Sequence, residues 1–200
     1  MGSYLNPGNK GFQESLNSEI YVDKTGLIEK TNEVLDTRQK FLCVSRPRRF
    51  GKSMAADMLA AYYERGEDSA ELFGTLKISK VESYEKNRNQ YDIIKVNMQE
   101  FLSMTHSMDE MLSMLQKYLI FDLTDHFDNV RFRDENNLIQ VMKDIYSKTK
   151  HSFVILIDEW DCLFREYKQD KEAQKKYKGV VVDHVSVDEI MLLLVKGERV

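Results

Sequence analysis

Ser45-Arg46-Pro47-Arg48-Arg49-Phe50-Gly51-Lys52-Ser53 decides how this chain is read. Before it runs Lys40-Phe41-Leu42-Cys43-Val44, a short apolar run that predicts a buried strand at about 40–45. After it runs Met54-Ala55-Ala56-Asp57-Met58-Leu59-Ala60-Ala61-Tyr62-Tyr63, rich in helix formers and free of Gly and Pro, which predicts a loop and helix over 46–65. Strand, tight loop, Gly-Lys-Ser and helix make the layout of a phosphate-binding loop. Backbone N–H groups at a helix N-terminus suit an anion. Gly51 lets the main chain come close and take an unusual φ. Lys52 would set an ammonium on the β- and γ-phosphate oxygens, and Ser53 would offer its hydroxyl to Mg²⁺. One departure is plain: the first glycine of G-x-x-x-x-G-K-[ST] would fall at position 46, where this chain has Arg46.

About a hundred residues further on, Ser152-Phe153-Val154-Ile155-Leu156-Ile157 ends in Asp158-Glu159. Continuous apolarity fits a parallel strand covered on both faces. At its C-terminal end Asp158 would stand where open α/β sheets bind ligands, placed to hold Mg²⁺. Glu159 points differently, as a general base for an attacking water. Each motif alone has an ordinary reading, a basic turn or two solvated acids. Together they point to a nucleotide.

Composition sets bounds. The 200 residues suit one domain or a little more, and a hydrophobic content of 42% supports a sizeable core. A net charge of -4 argues against a protein that coats nucleic acid, though not against a local basic patch. Cys43 and Cys162 form no Cys-x-x-Cys, and His106, His126, His151 and His184 lack ligand spacing, so a structural zinc is not expected and a reducing compartment is. No apolar run has transmembrane length and no signal-like start is seen, which predicts a cytoplasmic protein.

The rest of the chain fills in around these motifs. Met1 to Asn17 carries Gly2, Pro7, Gly8 and Gly11 and is expected to be mostly loop. Ile20-Tyr21-Val22 predicts a short strand or extended piece, with Asp23 or Thr25 capping a helix through Leu27, Ile28 and Val34. That lead-in either packs plainly on the sheet or closes over a nucleotide base. Residues 67–90 predict a short helix and a connection, and Tyr91 to Met98 a second strand. Ser107 and Glu110 have capping-box spacing ahead of a long helix with Met111, Leu112, Leu115, Leu119 and Leu123 on one face. A helix over about 136–147 follows. After Glu159 a helix leads into a charged run from Lys168 to Lys178. Gly179 to Val185 predicts a strand, and Ser186/Glu189 a short apolar helix ending near Gly197.

Tyr21-Val22-Asp23-Lys24-Thr25, the Arg46-Pro47-Arg48-Arg49-Phe50-Gly51-Lys52-Ser53 string and Ile155-Leu156-Ile157-Asp158-Glu159-Trp160-Asp161 resemble the AAA-ATPase-like family of bacterial proteins, over roughly residues 10–177. Members of that family often carry a PD-(D/E)XK nuclease-like domain after the ATPase, and the family uses Arg at position 46. The resemblance implies an α/β fold: a P-loop NTPase three-layer α/β/α sandwich, with a mostly parallel sheet of the additional-strand type. A strand then lies between the strand before Gly51 and the strand ending at Asp158. It implies ATP and Mg²⁺ as ligands. Carried over by position, Arg48, Arg49, Phe50, Gly51, Lys52 and Ser53 bind the nucleotide, Ser53 and Asp158 the metal, and Lys52 and Glu159 serve catalysis. Arg48 and Arg49 either touch phosphate or a neighbour, or simply face solvent. The expected division is a lead-in at 1–36 packing on the nucleotide site, an ATPase core at 37–178 and an atypical strand-helix tail at 179–200.

Two departures from the family carry expectations of their own. The strand with the polar sensor residue, the helical lid and the nuclease-like domain are not evident, and the chain from about Lys178 no longer resembles the family. A truncated member with an incomplete sheet is expected, with uncovered apolar faces that favour dimerisation or poor solubility. Three functional readings result. The first is Mg²⁺-dependent ATP hydrolysis coupled to a partner. The second is a nucleotide-binding regulatory module that does not hydrolyse, given the missing sensor and lid. The third is a nucleic-acid-associated role, suggested by the family's partner domain and by Arg46, Arg48, Arg49 and Lys52.

Overall fold

The computed structural model of the chain describes residues 4–35, 37–47, 51–166, 171–172 and 190–198. In chain order come α1 (Lys10–Leu16), α2 (Gly26–Asn32), β1 (Phe41–Pro47), α3 (Lys52–Tyr63) and α4 (Ala70–Phe73). A 3-10 turn (Lys77–Lys80), α5 (Tyr84–Asn87), β2 (Asp92–Asn97), α6 (Met98–Met104), α7 (Met108–His126) and α8 (Leu138–Thr149) follow. Then come β3 (Phe153–Asp158), α9 (Cys162–Glu166) and β4 (Ile190–Glu198).

The four strands form one sheet in the order β1-β4-β3-β2, with every pairing parallel. β4, between β1 and β3, stands where the family resemblance implies an additional strand. Side chains alternate across the sheet as the pleat requires. Ile93, Val154 and Leu156 face α3 and pack with Phe12, Ile28, Met58 and Leu59. Ile94, Val96, Phe153 and Ile157 face the other way, onto Met111, Leu112 and Leu123 of α7 and Val141 and Ile145 of α8. Helices therefore cover both faces, giving three layers.

β4 corrects the tail expectation. Where the sequence predicts a short apolar helix ending near Gly197, the chain from Ile190 to Glu198 is a strand. Leu192 pairs with Phe41 on one side and Ile155 on the other. A short continuous apolar run lacks a period and reads equally as buried helix or buried strand. Open ladder edges on β1 and β3 satisfy its backbone on both sides, and that settles the choice. The strand expected over 179–185 and the Ser186/Glu189 pair lie outside the described residues.

The N-terminal expectation also changes. Instead of loop, Tyr4 to Asn6 runs antiparallel along the outer edge of β2, with Asn6 N–H donating to the Ile93 carbonyl at 2.8 Å and Lys95 N–H to that of Tyr4 at 2.8 Å. α1 follows. Glycines argued for loop, yet Phe12 is 1% exposed and stacks on Phe73 with ring centroids 4.9 Å apart. Burying one such ring contributes about 1.5–3 kcal/mol, enough to outweigh weak local propensity. Tyr21 and Val22 are irregular rather than a strand.

α3 is the central helix. Met58, Leu59, Ala60, Ala61, Tyr62 and Tyr63 are all essentially inaccessible. The two tyrosines keep their hydroxyls bonded: Tyr62 Oη donates to the Tyr84 carbonyl and Tyr63 Oη to Asn32 Oδ1, both at 2.7 Å. Burial pushes the Tyr62 hydroxyl up to about 12 and Tyr63 well above its ordinary value, so neither ionises at neutral pH. The second contact fastens the C-terminal end of α2 to α3.

The long helix behaves as its capping signal predicts. Ser107 Oγ accepts from Glu110 N–H at 3.2 Å, and Glu110 reaches back to His106 N–H at 2.9 Å. α8 is capped by Asn137, whose Oδ1 accepts from Gln140 N–H at 3.1 Å. At the edge of the sheet Phe41 is half exposed, and Ile20 and Val22 are exposed in the lead-in. None of the described helices is long and apolar enough to cross a membrane.

Candidate functional site

β1 carries the chain to the C-terminal edge of the sheet, and α3 starts back from there. Gly51 occupies the N-cap position of α3 with φ +71° and ψ +40°. Only glycine takes this left-handed conformation freely. Its carbonyl accepts the first helical bond, from Ala55 N–H at 3.1 Å. The first N–H groups of a helix have no partner within it, and the helix dipole adds partial positive charge there. Lys52, the first residue of the helix, is 8% exposed, and Ser53 is exposed beside it.

β3 brings the acidic pair to the same place. Asp158 is its last residue and is 7% exposed. Ser53 Oγ donates to Asp158 Oδ2 at 2.8 Å, joining two groups 105 residues apart in the chain. Asp158 Oδ1 accepts from Glu159 N–H at 2.9 Å. Parallel pairing opposes Asp158 to Asn97 on β2, so the strand ends are level. A hydroxyl and a carboxylate in direct contact form a hard-oxygen donor set. Such a set suits Mg²⁺, which keeps several waters or phosphate oxygens rather than requiring an all-protein cage. No group of three or more acidic, His or Cys side chains that could hold a metal occurs among the described residues.

Glu159 is strained and held. Its φ is +52°, a left-handed value that costs a side-chain-bearing residue about 1–2 kcal/mol. The turn is secured by Cys162 N–H donating to the Glu159 carbonyl at 2.9 Å. Its carboxylate does not stand free: Arg165 Nη2 donates to Glu159 Oε2 at 2.6 Å. Burial by itself would lower the Arg165 pKa, but the Glu159 hydrogen bond and the charges of Asp161 and Glu159 outweigh it and hold the guanidinium above its usual value. No motif or spacing signals Arg165. It lies on α9, six residues past Glu159, and only the turn between them brings the two side chains together.

Lys24 of the lead-in also approaches the start of α3. A Cβ placed on Gly51 would come within 2.7 Å of Lys24 Nζ. The lead-in therefore reaches the first turn of α3 with an ammonium. Arg48, Arg49 and Phe50 lie outside the described residues, as do the side chains of Ser45 and Arg46.

The opposite end of the sheet holds a different polar group. A cavity of about 260 Å³ is lined by residues including Asn6, Glu64, Asp92, His126 and His151. Asp92 Oδ2 lies 3.2 Å from His151 Nδ1. Glu64, 1% exposed, accepts from Gly8 N–H at 2.7 Å, and burial pushes its pKa up to about 7. None of these residues approaches Asp158.

Residues 8–188 match the family described as AAA-ATPase_like: Predicted AAA-ATPase. No curated protein matches. Among solved structures, the Walker-type ATPase PABY2304 of Pyrococcus abyssi is similar at 13% identity and a TM-score of 0.48, over 88% of this chain and 45% of that one. PCH-2 of C. elegans is similar at 12% identity and a TM-score of 0.40, over 87% and 36%. Cdc6p from Pyrobaculum aerophilum is similar at 13% identity and a TM-score of 0.39, over 95% and 43%. The chain thus spans less than half the length of each of these.

Proposed function

The chain belongs to the predicted AAA-ATPase family, and from that premise we propose that it binds ATP with Mg²⁺ and hydrolyses it to ADP and phosphate, coupling nucleotide state to a partner. The observation that carries this reading is the 2.8 Å contact between Ser53 Oγ and Asp158 Oδ2. It joins the hydroxyl that follows Gly51-Lys52 to the carboxylate at the end of the apolar strand.

Each residue then has a role. The N–H groups at the start of α3 and the Lys52 ammonium bind the phosphates and offset charge that develops on them. Ser53 and Asp158 would hold Mg²⁺, which when bound neutralises β- and γ-oxygens. Glu159 accepts a proton from the attacking water. For that its carboxylate must first exchange Arg165 for the water, since one oxygen is already occupied. The same ion pair favours a second reading, a nucleotide-binding module in which Arg165 keeps the base engaged and no hydrolysis occurs.

Calorimetry with Mg-ATP on the wild type and Lys52→Ala, followed by phosphate release on the wild type and Glu159→Gln, tests both. Binding lost in Lys52→Ala and turnover lost in Glu159→Gln with binding kept are the expected results. Binding without phosphate release in the wild type would select the second reading. Binding that ignores Lys52 would overturn both.

A further inference from the structure

The 155–161 stretch ends in a carboxylate that the proposed chemistry does not use. Asp161 is 5% exposed, and among the described residues its Oδ1 has no hydrogen-bond partner. Arg165 Nη1 is likewise buried without a partner, while Nη2 of the same guanidinium donates to Glu159 Oε2 at 2.6 Å. A buried polar atom left unpaired is unfavourable, so an acceptor and a donor left so within one turn of chain require a reason. The backbone brings the two residues together. Arg165 N–H donates to the Asp161 carbonyl at 3.3 Å, so Asp161 and Arg165 stand four residues apart on one side of the first turn of α9. Asp followed by Arg at that spacing is a pair that helices favour. Against burial, the Glu159 hydrogen bond and then the Asp161 charge hold the Arg165 pKa up, so Asp161 lies close enough to act on the guanidinium.

We propose that Asp161 is a positioning residue: it is the second seat of the Arg165 guanidinium, which moves there from Glu159 when Mg-ATP fills the site and so frees the Glu159 carboxylate for the attacking water. The proposal rests on the nucleotide-site reading and deepens it. Glu159 must exchange Arg165 for water, yet a buried guanidinium left with no carboxylate would be strongly unfavourable. Moving to Asp161 replaces one carboxylate by another. The charge stays paired, and Arg165 Nη1 and Asp161 Oδ1 gain the hydrogen bond they lack. The attacking water gives Glu159 a new partner only in the nucleotide-bound state, and that differential contact shifts the equilibrium. The backbone stays in place. The turn is held by Cys162 N–H on the Glu159 carbonyl at 2.9 Å, and the Trp160 and Phe164 rings, edge to face at 5.6 Å, pack against the α7–α8 core. Rotation of the Arg165 side chain is the whole movement.

The test uses the whole chain with Mg-ATP. Dissociation constants and steady-state phosphate release are measured for the wild type, Lys52→Ala, Asp161→Asn, Asp161→Glu, Arg165→Gln and the double variant Asp161→Asn/Arg165→Gln, with nucleotide-free thermal midpoints. Asp161→Asn removes the charged seat and should slow phosphate release about tenfold, with the dissociation constant within about twofold of the wild type. Asp161→Glu, which keeps the charge, should stay within about threefold in rate. The double variant should release phosphate as fast as Arg165→Gln alone, because no guanidinium remains to be received. A structural role for Asp161 would slow both backgrounds alike. That result, or wild-type release in Asp161→Asn, would overturn the proposal alone. Should Asp161→Asn melt well below the wild type, nitrogen-15 guanidinium signals of the wild type decide. The Arg165 signal, identified by its absence from Arg165→Gln, should shift when Mg-ATP binds, and an unmoved signal overturns the handover. A wild type that binds Mg-ATP through Lys52 but releases no phosphate would also overturn it and select the non-hydrolysing reading. Binding absent from the wild type, or indifferent to Lys52→Ala, would overturn the nucleotide-site reading and this with it.

Discussion

Arg165 Nη2 and Glu159 Oε2 are 2.6 Å apart, an ion pair closed across a turn in which Glu159 is left-handed. The residue proposed as the base thus begins with its carboxylate engaged. Arg165→Gln removes the charge while keeping a hydrogen-bonding side chain. We expect phosphate release to rise several-fold, because the guanidinium occupies an oxygen that would otherwise be open to the attacking water. Steady-state phosphate assays decide it; a fall in rate would mean that Arg165 orients the base rather than restrains it.

Ser53 and Asp158 predict a metal response. Removing the hydroxyl in Ser53→Ala should cost about tenfold in ATP affinity with Mg²⁺ present and little in EDTA, since only the metal-assisted part uses that oxygen. Asp158→Asn should behave alike. Calorimetry under the two conditions gives the ratio, and equal losses with and without Mg²⁺ would count against both residues as metal ligands.

Gly51→Ala should damage the site through two separable causes. The φ of +71° carries a cost of about 1–2 kcal/mol for any L side chain, and the new methyl meets Lys24 Nζ. Melting should fall by a few degrees. Combining Gly51→Ala with Lys24→Met should recover the steric part and leave the φ part, which a double-mutant cycle of melting temperatures resolves.

Glu64 predicts a pH dependence far from the site. Burial raises its folded pKa from 4.5 to about 7. Between these values the folded chain keeps the proton and the unfolded chain loses it, so stability falls as pH rises from about 4.5 to 7. Glu64→Gln keeps an acceptor for the Gly8 N–H and removes that slope, with a gain at pH 7 of up to about 3 kcal/mol. Denaturant titrations at pH 5 and pH 7.5 measure it. A mutant as pH-sensitive as the wild type would assign the slope to another group.

Leu193→Pro tests the central strand. Leu193 is opposed to Leu42 on β1 and Leu156 on β3, and proline removes a ladder donor there. Amide exchange protection should collapse in β1 and β3 alike. Loss confined to residues near 193 would contradict the sheet order.

Much of this was legible because composition and position agreed. Phe41 to Val44 and Phe153 to Ile157 are apolar, β-prone and short, and no competing pattern obscured them. The Gly51-Lys52-Ser53 turn and the Asp158-Glu159 end were legible as motifs, and the fold explains their pairing by putting both strand ends on one edge. Ile190 to Glu198 was not legible, because a short apolar run reads equally as buried helix or buried strand and only the open ladders of β1 and β3 decide for a strand. Phe12 was hidden among glycines, since its partner Phe73 lies far along the chain. Arg165 was illegible for a different reason: it meets Glu159 only through a tight turn closed by Cys162 N–H on the Glu159 carbonyl, and no spacing rule signals that turn.

The placement of β4 has a consequence for how the chain matures. β1's strand partner in the sheet is β4, which follows it by roughly 150 residues. At about 5–20 residues per second, a ribosome exposes β1 for on the order of 8–30 s before its neighbour exists. Of the four strands, β2 and β3, adjacent in the sheet and closer in sequence, can pair meanwhile. Closing so long a loop is entropically unfavourable and slow. The edge that ends at the nucleotide turn is therefore assembled late, so the chain acquires its hydrophobic layers before it can acquire a ligand, and the nascent β1 is the segment on which a chaperone would act.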